Sequence, residues 1–234
     1  MNQQVIIDPR FRGPPESANG GYVCGIMAGL IGETAEVTLR RPPPIGRPLD
    51  VVRLDGGGVA LRDGETLVAE GLPAAVEIDV PDPVSFAAAA EAAKSFVWAE
   101  RHPYPTCFVC GPERAARDGL RIFSGAIAGR DVVAASWVPD ASLGDESGTV
   151  RPEFVWSALD CPGAFAFIRS PDDLVLLGRL AAKLTAPTRC GERYVVIGWP
   201  LGSEGRRLFA GTALFSEDGT LHALARATWV RLES

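Results

Sequence analysis

The chain has 234 residues, 47% hydrophobic and 22% charged, with a formal net charge of −6. That balance suits a folded globular protein rather than a disordered one, and the acidic surplus argues against a general nucleic-acid or anionic-membrane surface. Five cysteines, an odd number, fit reduced thiols better than a disulfide framework. The opening residues lack a basic stretch followed by an apolar one, and no apolar run reaches the ~18 to 20 residues that span a bilayer, so the sequence reads as cytoplasmic.

Val5 to Phe11 reads as a short strand cut by Pro9, and a turn-rich loop then leads to Asn19. Gly20 and Gly21 open a helix to about Ile31, in which Gly25, Ala28 and Gly29 permit close backbone approach. From Ala35 to Ile78 the pattern is strands separated by Pro42 to Pro48, Asp55 to Gly58, and Asp63-Gly64. Ser85 to Glu100, Ala-rich and without Gly or Pro, reads as a helix joining an N-terminal half, 1–100, to a C-terminal half, 101–234. The second half opens with Cys107-Phe108-Val109-Cys110-Gly111-Pro112, followed by strands near 120–125 and 131–138 and a polar loop from Asp140 to Thr149. A second long helix is expected from Arg151 or Pro152 to Ile168, kinked at Pro162. Four strands, at about 176–186, 192–199, 207–215 and 220–232, complete the pattern.

The two halves repeat one another. Leu39 and Leu184, Pro42 and Pro187, and Gly46 and Gly191 each stand 145 residues apart, and Asp63-Gly64 is answered by Asp218-Gly219 with Thr-Leu close behind both. A helix followed by a strand meander, twice over, predicts an α+β fold.

Asp160 is the residue with the strongest chemical signal. Trp156 and Ala164 share its helical face at four-residue spacing, and Ser157 and Gly163 are small, so this face is not a charged solvent face. A carboxylate so placed must be hydrogen-bonded, line a cavity or be raised in pKa by desolvation. Gly20 and Gly21 leave backbone N–H groups open at a helix start, where the macrodipole favours negative charge, and Asn19 can cap the helix or donate to a carbonyl.

Cys107-Phe108-Val109-Cys110-Gly111-Pro112 with Gly119-Leu120 resembles the opening of phenylacetate-pathway-type hotdog thioesterases, and Asn19-Gly20-Gly21-Tyr22 resembles the helix entry of double-hotdog acyl-CoA thioesterases. The resemblance implies a double hotdog, two helix-wrapped antiparallel sheets paired within one chain as a pseudo-dimer. It further implies hydrolysis of acyl-CoA or an acyl carrier thioester, without a cofactor. Asp160 sits where such families carry a catalytic acid, and side-by-side helices would join it to the Asn19 loop or to its own helix start near Arg151 and Glu153. Asn19, Gly20, Gly21, Arg151 and Glu153 are therefore the expected substrate-binding residues. The pattern departs from the family where a strand Thr or Ser and a Gln are expected, near Leu177 and Ala227, with Thr185 and Thr228 as nearby substitutes. A non-catalytic acyl-binding or assembly protein is thus the main alternative. A hydratase is less well supported, because Phe165 stands where its His would be. Association into a homo-oligomer stays open.

Cys107 and Cys110 have metal-ligand spacing, but zinc needs two further ligands and no second Cys-x-x-Cys or His pair follows. The pair reads as buried thiols at a strand entry, with no metal site. No nucleophile elbow or dinucleotide fingerprint is present, since Gly56 to Gly58 lie between strands.

Overall fold

The computed structural model describes residues 3–32 and 34–232. Eleven strands form one antiparallel sheet in the order β1-β3-β4-β5-β2-β8-β11-β10-β9-β7-β6. They are β1 (Gln4–Ile6), β2 (Ala35–Leu39), β3 (Pro48–Arg53), β4 (Val59–Asp63), β5 (Thr66–Pro73), β6 (Gly125–Ala126), β7 (Val133–Trp137), β8 (Val175–Leu184), β9 (Tyr194–Glu204), β10 (Arg207–Ser216) and β11 (Leu221–Arg231). Outward from the β2–β8 junction, one side runs β5, β4, β3, β1 and the other β11, β10, β9, β7, which is the same walk taken twice. At the junction Glu36 pairs with Ala181, which stands 145 residues later, while Ala35 pairs with Ala182 and Val37 with Leu180. A strand paired with its own repeat in that register is what a twofold axis between the halves requires. The turns of the repeat share their physics as well. Gly46 and Gly191 sit at φ 71° and 81°, and Gly64 and Gly219 at 57° and 85°, in the left-handed region that favours glycine.

Four helices complete the fold: α1 (Gly20–Ile31), α2 (Phe86–Ala92), α3 (Pro152–Ala158) and α4 (Cys161–Phe165). α1 lies on the first-half strands, α4 lies on β9 and β10, and α1 packs alongside α3. Gly21 and Gly25 make that approach possible. An added Cβ on Gly21 would lie 2.5 Å from Asp160 Cβ, and one on Gly25 would lie 2.5 Å from Glu153 Cα, so the two helices run antiparallel and nearly backbone to backbone. The main core fills the space between these helices and the sheet. On the other face, Val76 packs on Ala181 and Leu224, and Val84 and Ala89 pack on Val195, Ile197 and Phe215.

Several elements differ from expectation, each for a tertiary reason. The first strand stops at Ile6, and Pro9–Phe11 instead form a 3-10 turn capped by Asp8. The helix expected over Ser85 to Glu100 begins at the Ser85 cap but ends at Ala92, because Phe96 and Trp98 turn inward onto Phe165, with ring centroids 4.9 and 5.0 Å from it. The strand near 120–125 contracts to β6. Leu120 and Ile122 donate instead to the carbonyls of Phe108 and Val109, with Arg121 between them at φ 54°. The helix expected from Arg151 to Ile168 is two helices. Pro162 offers no N–H to the Ala158 carbonyl, and Asp160 departs from helical geometry at ψ −83°.

Two glycines separate crowding from intrinsic propensity. A Cβ on Gly198 would overlap the Pro162 carbonyl, whereas Gly29, exposed in α1, has no neighbouring atom within 4 Å. In thermal or urea unfolding, Gly198→Ala is expected to lose about 1–3 kcal/mol of stability. Gly29→Ala is expected to gain about 0.5–1 kcal/mol.

Candidate active site

Asp160 occupies the break between α3 and α4 and is 2% exposed. Its Oδ2 accepts hydrogen bonds from Asn19 Nδ2 at 2.7 Å and from the Gly21 N–H at 3.0 Å. Its Oδ1 is buried without a hydrogen-bond partner among the described residues. Asn19 works in two directions, because its Oδ1 also accepts from the Tyr22 N–H at 2.9 Å and so caps α1. Asn is the suited cap here: Asp would set a second carboxylate against Asp160, and Ser would be short of it. Burial pushes the Asp160 carboxyl up to about 7; the Gly21 N–H and Asn19 amide pull it down, and Cys107 adds to the rise.

Asp160, Asn19 and Gly20 line a cavity of about 70 Å³ together with Trp98, Tyr104, Cys107, Cys110, Cys161 and Trp229. The indole Nε1 atoms of Trp98 and Trp229 are buried with no acceptor among the described residues. Pro14, Gly20, Tyr104, Leu176 and Leu177 border both this cavity and a neighbouring groove of about 860 Å³. Leu39, Pro42, Pro43, Val230 and Leu232 extend the apolar wall of the groove, and Arg40 and Arg41 stand on it, Arg40 paired with Glu70.

The fold thus brings Asp160 together with Asn19, Gly20 and Gly21 across the two halves. It does not bring Arg151 or Glu153 into the cavity. They lie at the start of α3, where Arg151 sits over the Phe154 ring at 4.8 Å and pairs with Glu153 at 3.7 Å. Thr185 Oγ1 donates to the Leu221 carbonyl on an exposed edge, and Thr228 lies on β11 outside the cavity lining. Leu177 does line the cavity, Ala227 is fully buried, and Phe165 joins the aromatic cluster of Phe96 and Trp98.

The Cys107–Cys110 segment is not a strand entry. It is a turn in which the Gly111 N–H donates to the Cys107 carbonyl at 2.9 Å, and it is held to the first half by the Phe108 N–H on the Arg12 carbonyl at 2.8 Å. The break at Asp160 brings Cys161 against this turn, with its Sγ 3.4 Å from Cys110 Sγ. Trp98, Trp229 and Cys161 carry no local sequence signal for this site, since each is an ordinary core residue until the chain closes.

Solved structures of similar shape span the whole chain. The tesB protein of Mycobacterium avium subspecies paratuberculosis matches 98% of this chain and 92% of its own, at a TM-score of 0.62 and 15% identity. A candidate thioesterase from Novosphingobium aromaticivorans matches 99% and 95%, at 0.62 and 14%. A protein of unknown function with the hot dog fold, from Alicyclobacillus acidocaldarius, matches 99% and 93%, at 0.58 and 10%. This chain has the hotdog fold. No protein-family model matches it, and no curated protein matches its sequence. Within the hotdog frame, α1 and the α3–α4 pair are the two central helices, and Asp160 packs against Gly21 where they meet.

Removing the Asn19 side chain takes one of its two donors from Asp160 Oδ2 and the capping acceptor from the Tyr22 N–H. Asn19→Ala is therefore expected to destabilise the chain by about 1–3 kcal/mol in urea unfolding, and Asn19→Asp by more, because it sets two buried carboxylates together.

Proposed function

We propose that the chain hydrolyses acyl thioesters, with acyl-CoA or an acyl carrier thioester as substrate and Asp160 as the base that activates water. The observation that carries this reading is the uneven state of the Asp160 carboxylate. Oδ2 is fixed by Asn19 and Gly21, which aims the group, while Oδ1 is unpartnered beside a cavity that adjoins a long apolar groove. A water held by Oδ1 can give up a proton as it attacks the thioester carbonyl. The negative charge that develops on the carbonyl oxygen needs donors. Trp98 and Trp229 line the cavity, and their buried indole N–H groups, without an acceptor among the described residues, are candidate donors, as is the Gly20 N–H at the start of α1. The groove suits an acyl or pantetheine chain, with Arg40 and Arg41 placed to meet phosphate. Thioesterase is also the activity named for the similar Novosphingobium aromaticivorans structure, which supports the reaction class and not the substrate.

A second reading, acyl-thioester binding without turnover, draws on Leu177 and Ala227, apolar side chains where the double-hotdog pattern that the sequence resembles would put hydrogen-bonding partners for the acid. A hydratase reading draws less, because Phe165 offers no proton.

A panel of acyl-CoA substrates of varied chain length, read by release of free thiol, separates these. Asp160→Asn is expected to lower kcat/KM by about 10²-fold or more, and Trp229→Phe, which keeps the ring but removes the N–H, by up to about 10²–10³-fold. Equal turnover by Asp160→Asn and wild type would remove Asp160 from the mechanism. Saturable binding of acyl-CoA with no thiol release would establish the second reading.

A further inference from the structure

We propose that Cys107, Cys110 and Cys161 bind one zinc ion on the wall of the Asp160 cavity. All three residues are buried, and their Sγ atoms lie within 4.8 Å of one another, with Cys110 and Cys161 at 3.4 Å. Thiolates on a tetrahedral zinc, each about 2.3 Å from the metal, stand about 3.8 Å apart. Small shifts therefore turn the cluster into a ligand set.

Buried thiols serve as small apolar side chains in many cores, and apolar packing would account for any one of these three. It does not account for their convergence. Two arrive on one Cys-x-x-Cys turn, closed by the Gly111 N–H on the Cys107 carbonyl at 2.9 Å. Gly111 lets that turn close, since a Cβ on it would lie 2.5 Å from both Cys107 N and the Pro105 carbonyl oxygen. The third thiol comes from a different element, on the first residue of α4. Soft sulfur ligands in this number select zinc over magnesium or calcium.

No carboxylate or imidazole among the described residues joins the three sulfurs within the same radius. The fourth tetrahedral position therefore falls to a water or substrate atom from the cavity, the arrangement of an open zinc site. Binding forms three Zn–S bonds and releases the thiol protons to solvent, with no change in oxidation state.

The test is metal analysis of the chain purified under reducing conditions from zinc-supplemented cells, with cobalt(II) titration of the metal-stripped protein. The expected result is one zinc per chain and a thiolate-to-cobalt charge-transfer band. Both should be lost in Cys107→Ser, Cys110→Ser and Cys161→Ser, and both retained in Cys24→Ser, Cys190→Ser and Asp160→Asn. Wild-type protein with neither zinc nor the cobalt band would overturn the proposal whether or not the serine variants fold. So would a Cys110–Cys161 disulfide under the same conditions, or zinc retained by all three serine variants. The site stands independently of the hydrolase reading. Thiol release by a chain that binds no zinc would sink only the metal site, and a zinc-loaded chain that releases no thiol would sink only the hydrolase.

Discussion

The structure turns on a carboxylate of one half that accepts hydrogen bonds from the other. Asp160 could not be buried as an anion alone, since desolvating an ionised carboxylate costs several kcal/mol or more without partners. Asn19 and the Gly21 N–H supply two, and they are within reach only because Gly21 and Gly25 let α1 press against α3. Helix crossing, helix cap and acid are thus a single device. The break in the second helix belongs to it as well, because Asp160 leaves helical geometry just before Pro162.

Around this device the interior is polar in an unusual way. Native cores pair nearly all their buried polar atoms, yet Asp160 Oδ1 and the indole nitrogens of Trp98 and Trp229 have no partner among the described residues, and all three residues line the same small cavity. Aromatic packing keeps the surrounding walls firm. Phe11 stacks on Tyr22 at 4.2 Å and meets Phe108 edge-on at 5.0 Å, which ties the N-terminal loop, α1 and the cysteine turn into one body.

Much of the fold was legible because its signals are local. Pro42 and Gly46, Pro187 and Gly191, and the two Asp-Gly turns mark strand ends by backbone preference, and each glycine adopts the conformation that preference implies. Asp160 was legible for a related reason, since a lone acid on an apolar helical face needs a partner wherever the chain goes. Illegible were the features made by closure. Phe96 and Trp98 end a helix that their own segment favours, an override of propensity by core burial. Leu120 and Ile122 leave strand pairing for the cysteine turn. Cys161 stands some fifty residues from Cys110 and meets it only through the break in the second helix. The starts of the two central helices looked equally eligible for the site from sequence, and the antiparallel crossing of α1 and α3 leaves Glu153 beside Gly25, with Arg151 paired to it, outside the cavity that Asp160 lines.

The seam between the halves is symmetric in backbone and asymmetric in charge. Glu36 lies opposite Ala181 and is gripped by Arg179 at 3.2 Å and Arg226 at 3.5 Å, both from the second half. Were β2 to pair in the same register with β2 of another molecule, Glu36 would face Glu36, and like charges directly opposed across a sheet repel. The two arginines would then lie on strands of neither partner. The charge at this seam therefore favours pairing of β2 with β8 of the same chain over pairing with a second β2.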